Sequence, residues 1–363
     1  MNSIILSKPY IVGYMSVDIS RKYRSDLSEL KYVTAIPRGR VSFDLNHNID
    51  NAIKRTSVDN VEKIDLLLKF VLDKNEAVDP SIHFITYRRT LIAGLCSAFG
   101  LDPIIVVATL FNGHIYLCSL NTPDEVYRKE HRTGQDKKFL AWGYKFEQYM
   151  NADLPSLQPD IEKPVVENAE FSLFYRATLG SHELLYGAQI DGMLATSGKV
   201  SDPPVNADHE TNLNYLRNND YVELKTNREI EYRRQEENFK RNKMLKCWCQ
   251  CYLAGLKGLI VGYRNDFGII QRLQWFDTND IVRYCHNVWS PRTAIEFLDY
   301  FLSFIKKSFK DHVQQVLGIN SNFREIGPIT LRFDVDVNKR INVSETTETI
   351  LPDWFVEARK KGN

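Results

Sequence analysis

The chain has 363 residues, of which 43% are hydrophobic and 26% charged, a balance typical of a folded water-soluble protein and not of a disordered one. Its 47 basic side chains nearly cancel its 46 acidic ones, so the net charge neither indicates nor excludes a nucleic-acid partner. No apolar run reaches the roughly 18 residues that a membrane span needs, and no signal-peptide pattern opens the chain. We expect an intracellular protein, in the nucleus or the cytoplasm, without a membrane partner.

The six cysteines include no Cys-x-x-Cys pair. Three of them, Cys247, Cys249 and Cys251, alternate along a predicted helix, where they cannot converge on one zinc ion. We therefore expect reduced, buried thiols.

The amino-terminal third begins with a predicted peripheral arm over residues 1–50, with a strand-like run at residues 10–15. Apolar residues at helical spacing predict a helix over residues 61–72. Residues 84–90 then lead as an extended segment into another helix, and Arg88 lies near its start, where the helix dipole does not favour a cation. Two interpretations follow: Arg88 serves an anionic partner or a nearby carboxylate, or it is a surface residue.

Two hairpins are predicted in the next part of the chain. Asn112-Gly113 separates two apolar runs and is the strongest short-range hairpin signal. A second hairpin turns across residues 179–182, and its second strand ends in Gln189-Ile190-Asp191. Because side chains alternate along a strand, Gln189 and Asp191 share a face.

Between the hairpins lies a predicted helix that carries Glu147. Its buried stripe is predicted to contain Phe139, Trp142, Phe146 and Met150. Residues 196–219 are polar, contain two adjacent prolines, and are predicted as a long loop.

Residues 221–226 are predicted as a short strand on which Glu223 and Lys225 project from one face, while Val222 and Leu224 face the core. The helix predicted over residues 243–254 places three polar side chains on the side facing this strand: Lys243, Lys246 and Gln250. Metal-dependent phosphodiester cleavage needs carboxylates, a cation and a polar group, and this stretch offers all three. The alternative is that Glu-x-Lys is only a charged pair on a half-exposed strand.

The rest of the chain predicts a strand pair over residues 258–275, an amphipathic helix from Ser290-Pro291, and two closing strands over residues 329–345. The fold class expected is α+β: central mixed β-sheets flanked by helices, with an active-site cleft at the sheet. We expect one domain over residues 1–363.

Asp191, Glu223-x-Lys225 and a helix with Gln250 follow the order of the PD-(D/E)XK nuclease core. Together with Glu147, the pattern resembles the eukaryotic decapping nuclease family (DXO). The resemblance rests on ordered segments spread over most of the chain: Gly13-Tyr14, Leu30-Lys31-Tyr32, Thr86-Tyr87-Arg88, Gly143-Tyr144-Lys145-Phe146-Glu147, Gln189-Ile190-Asp191, Glu223-Leu224-Lys225-Thr226, Lys246-Cys247-Trp248-Cys249-Gln250 and Gly262-Tyr263-Arg264.

The resemblance implies a nuclease that hydrolyses RNA 5′ ends in mRNA quality control. Family members remove incomplete or unusual caps, including NAD-type caps, or 5′ pyrophosphate, and many then act as 5′-to-3′ exonucleases. The implied partners are the RNA 5′ end and a 5′-to-3′ exoribonuclease, and the implied cofactor is Mg²⁺ or Mn²⁺. The implied catalytic residues are Glu147, Asp191, Glu223 and Lys225; the metal ligands Glu147, Gln189, Asp191, Glu223 and the Leu224 carbonyl; and the phosphate contacts Arg88, Gln189, Lys225 and Gln250.

Gln189 departs from the family pattern, which has a glutamate at this position. Glutamine keeps a carbonyl oxygen but loses a full negative charge and cannot act as a base. Two functions therefore remain open from the sequence. One is an active or attenuated hydrolase, and the other is an inactive homologue that binds RNA or an exonuclease partner.

Overall fold

The computed structural model describes residues 4–54, 62–317 and 327–361. The strands in these ranges are β1 (Tyr10–Val17), β2 (Tyr23–Arg24), β3 (Tyr32–Val33), β4 (Arg40–Asp44), β5 (Phe84–Tyr87), β6 (Ile104–Phe111), β7 (His114–Leu120), β8 (Asn151–Ala152), β9 (Glu170–Leu179), β10 (His182–Gln189), β11 (Gly192–Leu194), β12 (Tyr221–Arg228), β13 (Gly258–Arg264), β14 (Ile269–Asp277), β15 (Ile329–Val335) and β16 (Ile341–Glu345). The α-helices are α1 (Asp65–Asp73), α2 (Arg88–Ser97), α3 (Pro123–Glu130), α4 (Gly134–Met150), α5 (His209–Arg217), α6 (Arg233–Asn238), α7 (Leu245–Ala254), α8 (Thr278–Cys285), α9 (Pro291–Leu317) and α10 (Asp353–Lys361).

The strands form two mixed sheets, which we call the large sheet and the small sheet. The large sheet has the order β16-β15-β6-β7-β5-β10-β9-β1-β2, and the small sheet has the order β4-β14-β13-β12-β11-β3-β8. Both contain parallel and antiparallel pairs. The predicted α+β class with mixed sheets and flanking helices is confirmed.

The two sheets meet where the chain leaves β10. In the large sheet β10 runs parallel to β5, and β5 runs parallel to β7, so the carboxyl ends of these three strands lie at one edge. After Gln189 the chain passes through Asp191 into β11 of the small sheet, where Gly192 pairs with Val222 of β12. Asp191 therefore lies at the junction of the two sheets.

The small sheet is covered on both faces. Trp142 and Phe146 of α4 pack with Val222 and Leu224 on one face. Because side chains alternate along β12, Glu223 and Lys225 project from the opposite face, toward α7. The sheet thus carries its charged pair on the side away from the apolar stripe of α4.

Several predicted elements are confirmed. The turn between β6 and β7 has positive φ at both Asn112 (50°) and Gly113 (83°), as a two-residue type I′ hairpin requires. The β9–β10 hairpin, the β13–β14 pair, the helix α9 and the closing strands β15 and β16 also form. Helix α1 confirms most of the helix predicted over residues 61–72, and residue 61 lies outside the described residues.

Four predictions are wrong. Residues 1–50 are not only a peripheral arm, because β1 pairs with β9 inside the large sheet. Residues 196–219 contain α5, whose first turn is capped by Asp208 accepting from the Thr211 N–H. The helix predicted from residue 243 begins earlier, since α6 continues through a π-helical turn, Phe239–Met244, into α7. Finally, Phe139 is exposed, since the first turns of α4 extend beyond the small sheet.

The state of the cysteines and the character of the helices agree with what the sequence predicts. All six cysteines are free and buried, as predicted. Among the helices in the described ranges, none combines the length and apolar character that crossing a bilayer requires.

Candidate active site

Glu223 and Lys225 form the centre of the candidate site on β12. The Lys225 ammonium donates to Glu223 Oε1 at 2.5 Å, and the amide of Gln250 on α7 donates to the same oxygen. The Glu223 side chain is 1% exposed, so its charge depends on these partners and not on water. The predicted projection of Glu223 and Lys225 from one face is confirmed.

Asp191 joins this centre from the end of β10. Its Oδ2 accepts from the backbone N–H of Leu224 at 2.8 Å and from Lys225 Nζ at 3.1 Å. Lys225 also donates to the Leu224 carbonyl at 3.0 Å. One ammonium therefore links the carboxylate of Glu223 in the small sheet with that of Asp191 at the junction of the two sheets.

Arg88 fixes the same junction from the first turn of α2. Its guanidinium donates to the carbonyls of Gln189 at 2.9 Å and Gln250 at 3.0 Å, and it lies 3.4 Å from Glu223 Oε2. The side chain is buried, so the surface interpretation is wrong. A nearby carboxylate is one of its partners, and contact with phosphate stays a prediction.

The helix side chains divide into two groups. Gln250 reaches Glu223, and Lys243 donates to the carbonyl of Thr226 on β12, as predicted. Lys246 points away, since its ammonium is exposed and lies 3.6 Å from Asp102. The expectation that all three face the strand is wrong for Lys246, whose side chain extends to Asp102 at the surface.

Glu147 and Gln189 line a cavity beside this centre. The cavity has a volume of about 660 Å³, and its walls include Glu147, Gln189 and Asp191. Gln189 is exposed at the end of β10, whereas Glu147 is half-buried on α4. Lys225 is not among the described residues that line the cavity, but it donates a hydrogen bond to Asp191, which does line it.

The three carboxylates differ in charge balance. Burial and the neighbouring Asp191 raise the pKa of Glu147 to about 8, and burial and Glu223 raise the pKa of Asp191. Although burial opposes ionisation of Glu223, Lys225 and Arg88 lower its pKa. Glu147 is therefore mostly protonated at neutral pH, whereas Glu223 keeps its negative charge beside Lys225 and Arg88.

The donor set fits a divalent metal ion by its chemistry. Carboxylates and a backbone carbonyl are hard oxygen donors of the kind that Mg²⁺ and Mn²⁺ prefer. A divalent ion bound beside Glu147 would favour the ionised form of this carboxyl, whose pKa is raised by burial. Within the described ranges, no three or more His, Cys, Asp or Glu side chains are grouped so as to hold a metal ion.

One positioning residue was missed from the sequence. Asn151 directly follows α4 and donates to the Asp191 carbonyl at 2.9 Å. Gly192 allows this approach, since a Cβ there would lie 2.5 Å from Asn151 Oδ1. The sequence signal that could have indicated Asn151 is its position directly after the helix that carries Glu147.

A mixed sheet that brings Asp191, Glu223 and Lys225 together, next to a cleft that Glu147 lines, is the arrangement of a PD-(D/E)XK-type nuclease. The chain belongs to the family of RAI1-like PD-(D/E)XK nucleases, whose model matches residues 7–356. The predicted resemblance is confirmed.

Known relatives match along most of the chain. The decapping and exoribonuclease proteins of Bos taurus and Homo sapiens are each 28% identical over 362 residues, covering 97% of this chain and 85% of the relative. Candida albicans Rai1, solved in complex with pU5-Mn²⁺, has a TM-score of 0.76 at 21% identity and covers 99% of this chain and 98% of that one. Scheffersomyces stipitis Rai1, solved with (3′-NADP)⁺ and calcium ion, has a TM-score of 0.74 at 19% identity, with coverages of 99% and 98%. The solved neighbours show the shared fold.

Proposed function

We propose that this protein is a metal-dependent hydrolase of RNA 5′ ends, which removes incomplete or unusual caps, including NAD-type caps, or 5′ pyrophosphate, and then degrades RNA 5′ to 3′. The observation that carries the proposal is the meeting of Asp191, Glu223 and Lys225 beside a cavity that Glu147 and Gln189 line. The names of the relatives, decapping and exoribonuclease proteins, support it.

The proposed metal is Mg²⁺ or Mn²⁺. The residues that would hold it are hard oxygen donors in or beside one cavity: Glu147, Asp191, Glu223, the Gln189 side-chain carbonyl and the Leu224 carbonyl. A bound ion supplies an activated water and neutralises charge on the phosphate. The neighbouring Rai1 structure with Mn²⁺ and pU5 supports both the metal and the RNA substrate class.

The protein's own groups have separate roles in this proposal. Lys225 offsets the charge that develops on the phosphate. Its ammonium is held in position for this role by Asp191 and Glu223. Arg88 and Gln250 hold Glu223 in place and contact phosphate at the cleft. Asn151 positions the Asp191 backbone.

A second candidate function is favoured by Gln189. A neutral amide at the cavity wall leaves three carboxylates, so the alternative is a weakened or inactive homologue that binds RNA or an exoribonuclease partner. We also infer that residues 1–363 act as one nuclease domain, supported by the family match over residues 7–356.

The test uses purified protein, Mn²⁺ and RNAs that carry a 5′ triphosphate, an NAD cap or an incomplete cap. We expect release of pyrophosphate or a cap nucleotide, a higher rate for Gln189→Glu, and loss of both catalysis and Mn²⁺ binding for Asp191→Ala. Asp153→Ala is the matched control, because Asp153 lines the same cavity but pairs with Lys31 and Lys163 at its exposed rim.

The two candidate functions differ in outcome. If wild type and Gln189→Glu are both inert while RNA still binds, the binding function is correct. If neither RNA nor Mn²⁺ binds, both are wrong and the carboxylates are structural partners of Lys225 and Arg88.

A further inference from the structure

Three cations, Arg89, Lys129 and Arg132, form a group that we call the basic cluster. Arg89 Nη2 and Lys129 Nζ both donate to Oδ1 of Asn121, each at 2.7 Å. Two positive groups therefore share one neutral oxygen. Arg132 is close enough for its charge to act on Lys129.

The basic cluster lacks matching negative charge. In the part of the chain that the structure describes, no carboxylate lies within ion-pair distance of any of the three cations. Nearby acids serve as helix caps instead: Glu125 accepts from the Thr122 N–H, and Asp136 accepts from the Thr133 N–H. Partial burial, Arg89 and Arg132 lower the pKa of Lys129, and the charge of Glu125 only partly opposes them.

The topology places the basic cluster on the same sheet edge as the active site. Gln189 ends β10, Arg89 lies just after β5, and Asn121 lies just after β7. These strands are parallel neighbours in the order β7-β5-β10. Since adjacent strands are about 4.8 Å apart, Asn121 lies roughly 10 Å from Gln189 along this edge.

Arg88 and Arg89 have different surroundings although they are adjacent in sequence. Arg88 is buried and donates to two carbonyls and to Glu223. Arg89 is exposed, and its guanidinium faces Asn121 and the other two cations. Arg88 is built into the site, whereas Arg89 is available to an external anion.

We propose that the basic cluster binds phosphates in the body of the RNA chain, downstream of the 5′ end held in the cavity. Arg89 and Lys129 are exposed and Arg132 is half-buried. A group of cations at this distance from the active site suits a polyanion that passes over the edge of the sheet. This inference rests on the proposed function, because it takes RNA as the substrate.

The binding test uses fluorescence anisotropy without divalent metal and two probes, a 5′-phosphorylated ten-nucleotide oligouridylate and a 5′-phosphorylated dinucleotide. We expect R89Q/K129Q to weaken decamer binding about tenfold and to reduce the slope of log K against log salt by about 1.4, since each of the two lost phosphate contacts contributes about 0.7 for a single strand. Asn121→Asp should weaken it in the same direction, because it adds a carboxylate where both cations donate. Dinucleotide binding should not change.

The matched control is K257Q/R283Q. Both residues are exposed, and their replacement changes the net charge by the same amount at surfaces away from this sheet edge. The control should bind the decamer as wild type does. Thermal melting of all variants checks folding, and Asn121→Asp should melt no lower than wild type, because its new carboxylate pairs with existing cations.

The outcomes separate this inference from the proposed function. If wild type binds and cleaves RNA with Mn²⁺ but the cluster variants match the control, the inference is wrong and the proposed function stands. If the variants lose dinucleotide and decamer equally, the cluster acts through Arg88 and the inference is again wrong. If wild type neither binds nor cleaves RNA, the proposed function fails, and the inference fails with it.

Discussion

The two sides of the cleft differ in how completely their polar groups are paired. On the β12 side, Glu223 accepts hydrogen bonds from Lys225, Gln250 and Arg88. On the cavity side, the side chains of Glu147 and Gln189 have no hydrogen-bond partner within the described residues. The side chains on the β12 side are therefore held in place before any ligand binds, and those on the cavity side are open to a ligand.

This difference shows how one site can combine stability with binding. Buried charges are tolerated on β12 because each has an opposite charge and donors in fixed positions. On the cavity side, Glu147 forms no ion pair within the described residues, and burial raises its pKa to about 8. A divalent cation from solution could replace the proton on this carboxyl and bind the carboxylate.

The largest effect is expected from breaking the β12 side. Glu223→Ala leaves Arg88 and Lys225 without their shared carboxylate, so the free energy of unfolding should fall by about 3–5 kcal/mol. Urea denaturation measures this change. The matched control is Glu229→Ala, which removes the half-exposed pair with Arg272 and should cost less than about 1 kcal/mol. Equal losses in the two variants would contradict the assignment of Glu223 as the buried centre.

A smaller effect is expected from pH on the cavity side. The pKa of Glu147 is raised in the folded state from its ordinary 4.5 to about 8, so the folded protein binds more protons than the unfolded chain in that window. The contribution of Glu147 to the free energy of unfolding should therefore be highest below about pH 4.5. It should fall by about 2 kcal/mol as the pH rises from there to 8.

The variant Glu147→Gln isolates this contribution. It should flatten the decline measured by urea denaturation at a series of pH values between 5 and 8, while the contribution of Asp191, whose pKa is also raised, remains. A decline of the same steepness in Glu147→Gln and wild type would show that Glu147 is not the group responsible.

Gln189→Glu sharpens the comparison by adding charge to the open side. Without metal, the new carboxylate faces Glu147 and Asp191, so the free energy of unfolding should fall by about 1 kcal/mol. With Mn²⁺ the variant should become more stable than wild type, since each added carboxylate strengthens divalent-ion binding. Thermal melting with and without Mn²⁺ measures both changes, and a Mn²⁺ response equal to that of wild type would count against Gln189 as a ligand position.

Much of the β12 side is predictable from sequence, because it depends on local periodicity. Alternation along residues 221–226 places Glu223 and Lys225 together. The resemblance to the decapping nuclease family adds Glu147 and Asp191, which lie on other elements and which local patterns alone do not connect. Asn151 has no such pattern, since its role depends on the close approach of Gly192 in space.

The errors have physical causes as well. The polar segment that contains α5 reads as a loop because its composition hides the apolar contacts of Leu213 and Leu216 with the core. The π-helical turn at residues 239–244 is a change of helix phase that a regular repeat of about 3.6 residues does not anticipate.

Lys243 and Lys246 give the smallest expected effects and test how α7 supports the β12 side. Lys243→Met removes the donor to the Thr226 carbonyl and should lower the free energy of unfolding by about 1 kcal/mol, since a partly buried acceptor loses its partner. Lys246→Met breaks only an exposed contact with Asp102 and should change it by less than about 0.3 kcal/mol. Urea denaturation of the two variants side by side distinguishes them. An equal, negligible change in both would mean that the edge of β12 is held by Gln250 and Arg88 without help from Lys243.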